Sequence, residues 1–322
     1  MDYRASGVDI DAGNKAVELI KDKVKRTYNK NVLNSLGGFA AMYELGGGFK
    51  EPVLVSCTDG VGTKVKVAIE LGILNTIGID LVAMNVNDLI CTGARPLFFL
   101  DYIACHKNVP EHMADLIEGM TQGCLQAGCA LVGGEMAEMR DVYAKGDFDL
   151  AGFAVGVVDK SKIIDGKAIK PGQFIYGFAS SGLHSNGYSL ARWVLDEETC
   201  RKNQVDRKML LTPTRIYVKE VLELVSRGTV TGLAHITGGG IAENLIRVLP
   251  EGARAVIKKD SIPSLPIFET IQNLGHVEEA EMLRVFNMGV GMIVISSAPL
   301  TENPGFFQIG LVEAGERGVV LT

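Results

Sequence analysis

Seven residues, Thr58-Asp59-Gly60-Val61-Gly62-Thr63-Lys64, bring an acid, two glycines, a hydroxyl and a lysine together directly after the apolar run Val53-Leu54-Val55-Ser56-Cys57. These are the parts needed to hold a metal-bound phosphate: a carboxylate for a hard cation, glycines that let backbone amides approach closely, and a lysine for phosphate oxygens. The segment is not a P-loop, which needs four residues between its first glycine and a Gly-Lys pair followed by Ser or Thr. Read alone, the same residues also make an ordinary surface turn. Two further acids, Asp88 and Glu135, stand on a helix face and at an element end among residues that predict burial. A magnesium ion would give Asp59, Asp88 and Glu135 a common partner. Three separate surface carboxylates are the alternative, and spacing does not decide.

Two loops in the second half are built for anions. Ser180-Ser181-Gly182-Leu183-His184-Ser185-Asn186-Gly187 and His235-Ile236-Thr237-Gly238-Gly239-Gly240 each run from a strand into a helix. A glycine-rich approach to a helix N-terminus presents unpaired N–H groups and the positive end of the dipole. Ser185 and Thr237 add hydroxyls, and His184 is placed to donate to a phosphate or move a proton, with a structural role as its alternative. His106, His112 and His276 sit beside charged residues without a motif and read as structural. No Ser-His-Asp elbow, zinc H-E-x-x-H or G-x-G-x-x-G after the first strand is present. Acids and glycines for a metal nucleotide in one half, with anion loops in the other, point to an ATP-dependent enzyme acting on a phosphorylated small molecule.

Hydrophobic periodicity supplies the elements that position these groups. An amphipathic helix is expected from Ala12 to Tyr28, capped by Asp9 or Asp11, then a glycine loop at Leu36–Ala41 and a buried strand at 53–57. A helix over 79–92 carries Asn85 and Asp88 three apart on one face. A strand at 97–105, a proline-started helix at 110–127 and a strand at 151–158 follow. The charged stretch from Asp159 to Pro171 marks a domain boundary, dividing the chain into 1–165 and 166–322. Beyond it come strands at 174–179, 253–257, 290–296, 306–312 and 318–321. Helices are expected near 187–196, 213–226, 241–248 and 266–286. The fold class is mixed α/β or α+β in two domains.

Composition sets outer bounds. The 322 residues are 47% hydrophobic and 22% charged, as in a globular protein with ample core. A net charge of −6 excludes a nucleic-acid-binding surface as the main feature, so any anion site must be local. Six cysteines form no C-x-x-C pair, which favours reduced thiols and a cytoplasmic location. No long uncharged apolar run reads as a membrane span.

The motifs TDGVGTK (58–64), TIGIDLVAMNVNDL (76–89), GGEMAEM (133–139), SSGLHSNGYSLAR (180–192), PTRIYVK (213–219), HITGGGIAEN (235–244) and FNMGVGM (286–292) together resemble phosphoribosylformylglycinamidine cyclo-ligase, the aminoimidazole ribonucleotide synthetase family. GVDIDAG (7–13), LGGFAA (36–41) and PLFFLDY (96–102) extend the resemblance over nearly the whole chain. It implies a two-domain fold whose N-terminal sheets pair into a barrel across a homodimer. It also implies conversion of formylglycinamidine ribonucleotide and ATP into aminoimidazole ribonucleotide, ADP and phosphate through an iminophosphate, with Mg²⁺.

Carried over residue by residue, Asp59, Asp88 and Glu135 become acids of the metal or phosphate site. Lys64 becomes a phosphate contact, with Gly37, Gly38, Gly60, Gly62 and Thr63 around the nucleotide. Asn85 supports Asp88, and Lys21 reaches ATP if its helix closes over the site. His184, Ser185 and Asn186 form a loop at the active-site cleft, with His184 as proton carrier, and Thr237, Gly238, Gly239 and Gly240 hold the ribose 5′-phosphate. The chain departs from the family pattern at Cys57, a usual glycine, at Met136, Arg95 and Arg140-Asp141-Val142, and in a short C-terminal segment. The rival readings are a sister ATP-dependent kinase on the same scaffold and a silent nucleotide-binding scaffold.

Overall fold

A computed structural model describes residues 9–34, 36–303 and 305–322. The chain divides into two compact units: one runs to Leu89 and resumes over Ala94–Ser161, and the other takes Ile90–Gly93 and Lys162–Thr322.

The first unit sets three long helices and a short one beside a four-stranded sheet. Helix α1 (Ile10–Lys25) begins at Asp9, whose carboxylate accepts the Ala12 N–H at 3.1 Å, and buries Ala16, Ile20 and Val24. Strand β1 (Pro52–Gly60), helices α2 (Lys64–Leu71) and α3 (Ile77–Ile90), and strand β2 (Arg95–Cys105) follow. Helix α4 (Pro110–Ala127) starts at a proline and ends at a left-handed Gly128. Strands β3 (Ala130–Glu138) and β4 (Phe148–Asp159) complete the unit. Glycine lets α3 and α4 approach backbone to backbone, because a Cβ on Gly119 would lie 2.9 Å from the Gly78 nitrogen.

The sheet order is β1-β4-β2-β3, with only β2 and β3 parallel. Strand β1 continues past Cys57, because the long β4 offers Phe153, Gly152 and Ala151 as partners to Thr58, Asp59 and Gly60. Asp59 is therefore a strand residue, not the first residue of a loop. Helix α2 went unread because Lys64-Val65-Lys66-Val67 alternates like a strand, yet Lys64, Val65, Val67 and Ala68 are all buried.

The second unit is built on a six-stranded sheet, in order β10-β7-β9-β5-β8-β6. Its strands are β5 (Phe174–Ala179), β6 (Val230–His235), β7 (Ala253–Ile257), β8 (Val290–Ser296), β9 (Phe306–Ala314) and β10 (Gly318–Leu321). Every residue of β8 is buried, and Ile293 and Ile295 join Ile175, Ile257 and Ile309 in the core. Helices α5 (Tyr188–Val194), α6 (Glu197–Asn203), α7 (Val218–Ser226), α8 (Gly240–Leu245), α9 (Pro266–Gly275) and α10 (Glu279–Val285) join the strands. The expected helix at 213–226 starts only at Val218. Pro213 and Thr214 before it are committed to contacts with the Ser180–Gly187 loop, described below.

Candidate functional site

In the first unit, strand register aligns Asp59, Gly152, Asp101 and Gly134 in one row across β1, β4, β2 and β3. Asp59 is exposed, and its Oδ1 accepts the Gly60 N–H at 2.7 Å. Asp88 is exposed on α3. Burial pushes the Cys57 thiol up to about 12, and the Asp88 and Asp59 charges add to the shift, so both carboxylates act on one sulfur. Glu135 stands elsewhere: it pairs with Tyr102, one residue out of the Asp59 row, and accepts the Met136 N–H at 2.9 Å. Three strand spacings separate β1 from β3, roughly 14 Å at ~4.8 Å each. Among the described residues, no group of three or more His, Cys, Asp or Glu side chains is gathered to hold a metal. The expected convergence of Asp59, Asp88 and Glu135 on one ion is therefore not a feature of this chain by itself; Asp59 and Asp88 share a neighbourhood and Glu135 lies apart.

Lys64 also differs from expectation. Its ammonium is fully buried and donates to Asp80 Oδ1 at 2.7 Å, inside the helical layer instead of at a phosphate. Burial lowers its pKa, and Asp80 opposes that shift. Asp80 lies in the first turn of α3, where a single acid carries no distinguishing signal in the sequence. Asn85 is buried too, and supports Asp59 in place of Asp88: its amide donates to Asp59 O at 3.3 Å and to Leu81 O at 2.8 Å. Gly152 makes the room, because a Cβ there would lie 2.7 Å from Asn85 Nδ2. Gly62 takes a left-handed φ of 58°, turning the chain from β1 toward α2, and Thr63 precedes that helix without a side-chain cap bond.

A cleft of about 800 Å³ opens in this unit beside the glycine loop. Gly37, Gly38 and Phe39 form one wall, Val17, Ile20 and Val24 of α1 another, and Phe98, Leu100 and Phe153 the sheet floor. Asn34 fastens the loop, donating to Ala40 O at 2.8 Å and accepting the Met42 N–H at 2.7 Å. Lys21 is exposed on the solvent side of α1. Polar groups enter the lining at Asp101 and at Gly133-Gly134-Glu135. Asp101 is only 8% exposed, and burial pushes its carboxyl up to about 7, with Glu135 adding to the rise and its own backbone N–H opposing it. A Cβ on Gly134 would collide with the Asp101 carboxylate, which accounts for the second glycine of the Gly-Gly-Glu motif. Sequence reasoning missed Asp101 because it sits inside an apolar strand.

In the second unit, Asn186 and Gly187 approach the Thr237–Gly240 loop, since a Cβ on Gly238 would lie 3.5 Å from Asn186 Oδ1. Gly187, Gly238 and Gly239 share a hollow of about 400 Å³ with Glu243, Glu281 and Arg284. Its charge is mixed, one cation against two carboxylates. Asn244 holds the glycine loop from inside, donating to Gly238 O at 3.1 Å and Gly240 O at 2.8 Å, while Thr237 Oγ1 donates to Asn244 Oδ1 at 3.3 Å. Gly239 and Gly240 are both left-handed, and the Gly240 N–H closes the turn on Thr237 O at 3.2 Å. Ser185 is buried, its hydroxyl 3.1 Å from that of Thr214. His184 is 1% exposed, and its Nε2 accepts the Ser181 N–H at 3.1 Å. The histidine expected at the cleft surface is thus packed behind its own loop.

Comparison with known proteins gives this geometry a family. Residues 38–158 match the AIR synthase related protein N-terminal domain, and 170–320 match its C-terminal domain. A phosphoribosylformylglycinamidine cyclo-ligase of Carboxydothermus hydrogenoformans is 54% identical over 99% of this chain and 98% of its own length. The chain belongs to the phosphoribosylformylglycinamidine cyclo-ligase family. A second cyclo-ligase, from Clostridium tetani, is 51% identical over 99% of each chain. In fold, this cyclo-ligase family member is similar to thiamine-monophosphate kinase from Stenotrophomonas maltophilia K279a, with TM-score 0.65 and 17% identity over 94% of this chain and 95% of that one. It is also similar to the hydrogenase maturation protein HypE in complex with ATP, with TM-score 0.67 and 19% identity over 94% and 90%. At such identities the likeness establishes the fold alone.

Proposed function

We propose that the chain catalyses the ATP-dependent closure of formylglycinamidine ribonucleotide to aminoimidazole ribonucleotide, releasing ADP and phosphate in purine biosynthesis. The observation that carries this reading is identity of about half to cyclo-ligases over nearly the full length, in a chain that carries TDGVGTK, HSNGYS and HITGGG. The chemistry follows from the substrate. An amide oxygen leaves poorly; phosphorylation makes an iminophosphate, and the substrate's own nitrogen then displaces phosphate to close the five-membered ring. Holding both ends of one molecule in place makes that step intramolecular, which supplies several kcal/mol.

The residues divide this work. Asp59 and Asp88, both exposed and both acting on Cys57, provide two carboxylates at the end of β1. That donor set fits Mg²⁺ arriving with ATP, since this ion takes one or two carboxylates plus phosphates and keeps its waters. When bound, the ion neutralises charge on the transferring phosphoryl group. Gly60 and Gly62 let backbone amides approach the phosphates, and Thr63 adds a hydroxyl. Gly37 and Gly38 line the cleft that receives the nucleotide, and Lys21, exposed on α1, reaches ATP when that helix closes over the site. Lys64 serves indirectly, by fixing α2 against α3 through Asp80. Thr237 to Gly240, held in shape by Asn244, form the loop for the ribose 5′-phosphate, with Asn186 next to Gly238 and Ser185 preceding it in the neighbouring loop.

The protein acts as a homodimer in the cytoplasm. Leu54, Tyr102 and Phe153 are exposed on one face of the first sheet, an apolar surface suited to a second copy. No described helix is long and apolar enough to cross a membrane. ATP turnover measured with and without formylglycinamidine ribonucleotide tests the reaction. ADP without an imidazole product would favour a kinase on the same scaffold, and no ATP turnover would favour a silent one.

A further inference from the structure

We infer that His184 is a positioning residue: its imidazole sets the path of the Ser180–Gly187 loop from behind and does not carry a proton in the reaction. This deepens the functional reading above and rests on it. The imidazole is 1% exposed, and its Nε2 accepts the Ser181 N–H at 3.1 Å. A ring nitrogen that accepts a hydrogen bond carries no proton, and protonating it would set two N–H groups against each other. The backbone of His184 is left-handed at φ 63°, a strained value for a residue with a Cβ, held because the ring is fixed below the loop.

What fixes the ring is the Phe286–Met292 segment. A Cβ on Gly291 would run into His184 Cε1 and Tyr217 Oη, so this glycine is the space both rings occupy. The two ring centroids lie 6.2 Å apart, and Tyr217 Oη donates to Ala179 O at 3.0 Å, at the residue before the loop. Burial raises the Tyr217 pKa far above its usual value, which keeps the hydroxyl a donor. The Ser180 N–H donates to Gly289 O at 2.8 Å, and Asn287 Nδ2 donates to Gly182 O at 2.9 Å. Asn287 Oδ1 in turn accepts the Gly289 N–H at 2.9 Å. On the other flank, Ser181 Oγ donates to Pro213 O at 2.6 Å, and Ser185 meets Thr214. Asn287, Gly289 and Gly291 thus carry the loop at three points, the last of them through His184. The side chain is committed to shaping the backbone that meets substrate.

Glutamine separates the two roles, because its Oε1 reaches about as far as Nε2 and accepts a hydrogen bond but cannot shuttle a proton. The assay follows aminoimidazole ribonucleotide formation by wild type, His184→Gln, His184→Ala and Gly291→Ala over roughly pH 6 to 9. His184→Gln is expected within about tenfold of wild-type kcat/KM, and His184→Ala about a hundredfold down, mostly through KM. Both keep the wild-type shape of the pH profile, and added imidazole restores neither. Gly291→Ala, which alters no polar atom, shows the KM defect of His184→Ala. Where His184→Ala fails to fold, the glutamine and Gly291 variants carry the comparison. A glutamine variant as inactive as alanine with KM unchanged, loss of one limb of the pH profile, or rescue by imidazole would overturn the inference. Absence of product with wild type would instead contradict the functional reading, before any variant is compared.

Discussion

Asp101 and Gly134 form one device, a carboxyl set into a strand beside a glycine that leaves space for it, at the floor of the cleft. Its carboxyl stands at about 7 in the fold against 3.8 for the ordinary group, because burial disfavours the charge. Between those values the folded chain holds a proton that the unfolded chain releases. Stability therefore falls as pH rises through this window and levels off above it. At ~1.36 kcal/mol per unit, the loss is at most about 4 kcal/mol. Asp101→Asn removes the titrating group, so its stability relative to wild type should climb between about pH 4.5 and 7.5, read from urea unfolding at both ends. Parallel behaviour would show that Asp101 is ionised in the fold. Asp59 makes the contrasting case, an exposed carboxylate near the end of a strand. Asp59→Asn should leave the free energy of unfolding within about 0.5 kcal/mol of wild type. It should also lower turnover by about a hundredfold or more. Near-normal turnover would remove Asp59 from the phosphoryl-transfer machinery.

Helix α2 is tied to α3 by the buried Lys64–Asp80 pair, and this alters what a change at Lys64 means. Removing one member of a buried ion pair strands the other, at a cost of about 3–5 kcal/mol. Lys64→Met should therefore destabilise the fold by that amount, and Lys64→Met with Asp80→Leu should recover most of it, measured by denaturant unfolding. A stable Lys64→Met protein with weakened ATP binding would restore Lys64 to the phosphates. The elements most legible in the sequence were those whose period and ends agree. Helix α4 runs from its proline to Gly128, and β5 and β8 are largely apolar runs of ordinary strand length. What stayed hidden depended on partners far along the chain. Strand β1 reaches Gly60 only because β4 supplies partners. Residues 213–217 stay outside the helix, with Pro213 and Thr214 holding the Ser180–Gly187 loop. Side-chain direction was equally unreadable: a buried Lys64, an inward His184 and an Asn85 bonded to Asp59 look the same in sequence as their exposed counterparts.

Over the whole chain, the motifs identified the family more surely than they assigned its side chains. Within the motifs, residues support their neighbours: Gly134 clears room for Asp101, Gly291 for His184, and Asn244 shapes the glycine loop. The outward face of the first sheet carries Leu54 at 65% exposure and, on the neighbouring strand opposite Thr58, four residues along, apolar Phe153. If that face pairs with a second copy, Phe153→Lys should shift the sedimenting species from two copies to one and lower activity; an unchanged dimer would place the interface elsewhere. The reaction itself has the most direct test. Purified protein is given ATP and formylglycinamidine ribonucleotide, and ADP and aminoimidazole ribonucleotide are counted together. Equal amounts of the two, formed only when both substrates are present, is the predicted result. ADP without the imidazole, or no ATP consumed at all, would contradict it.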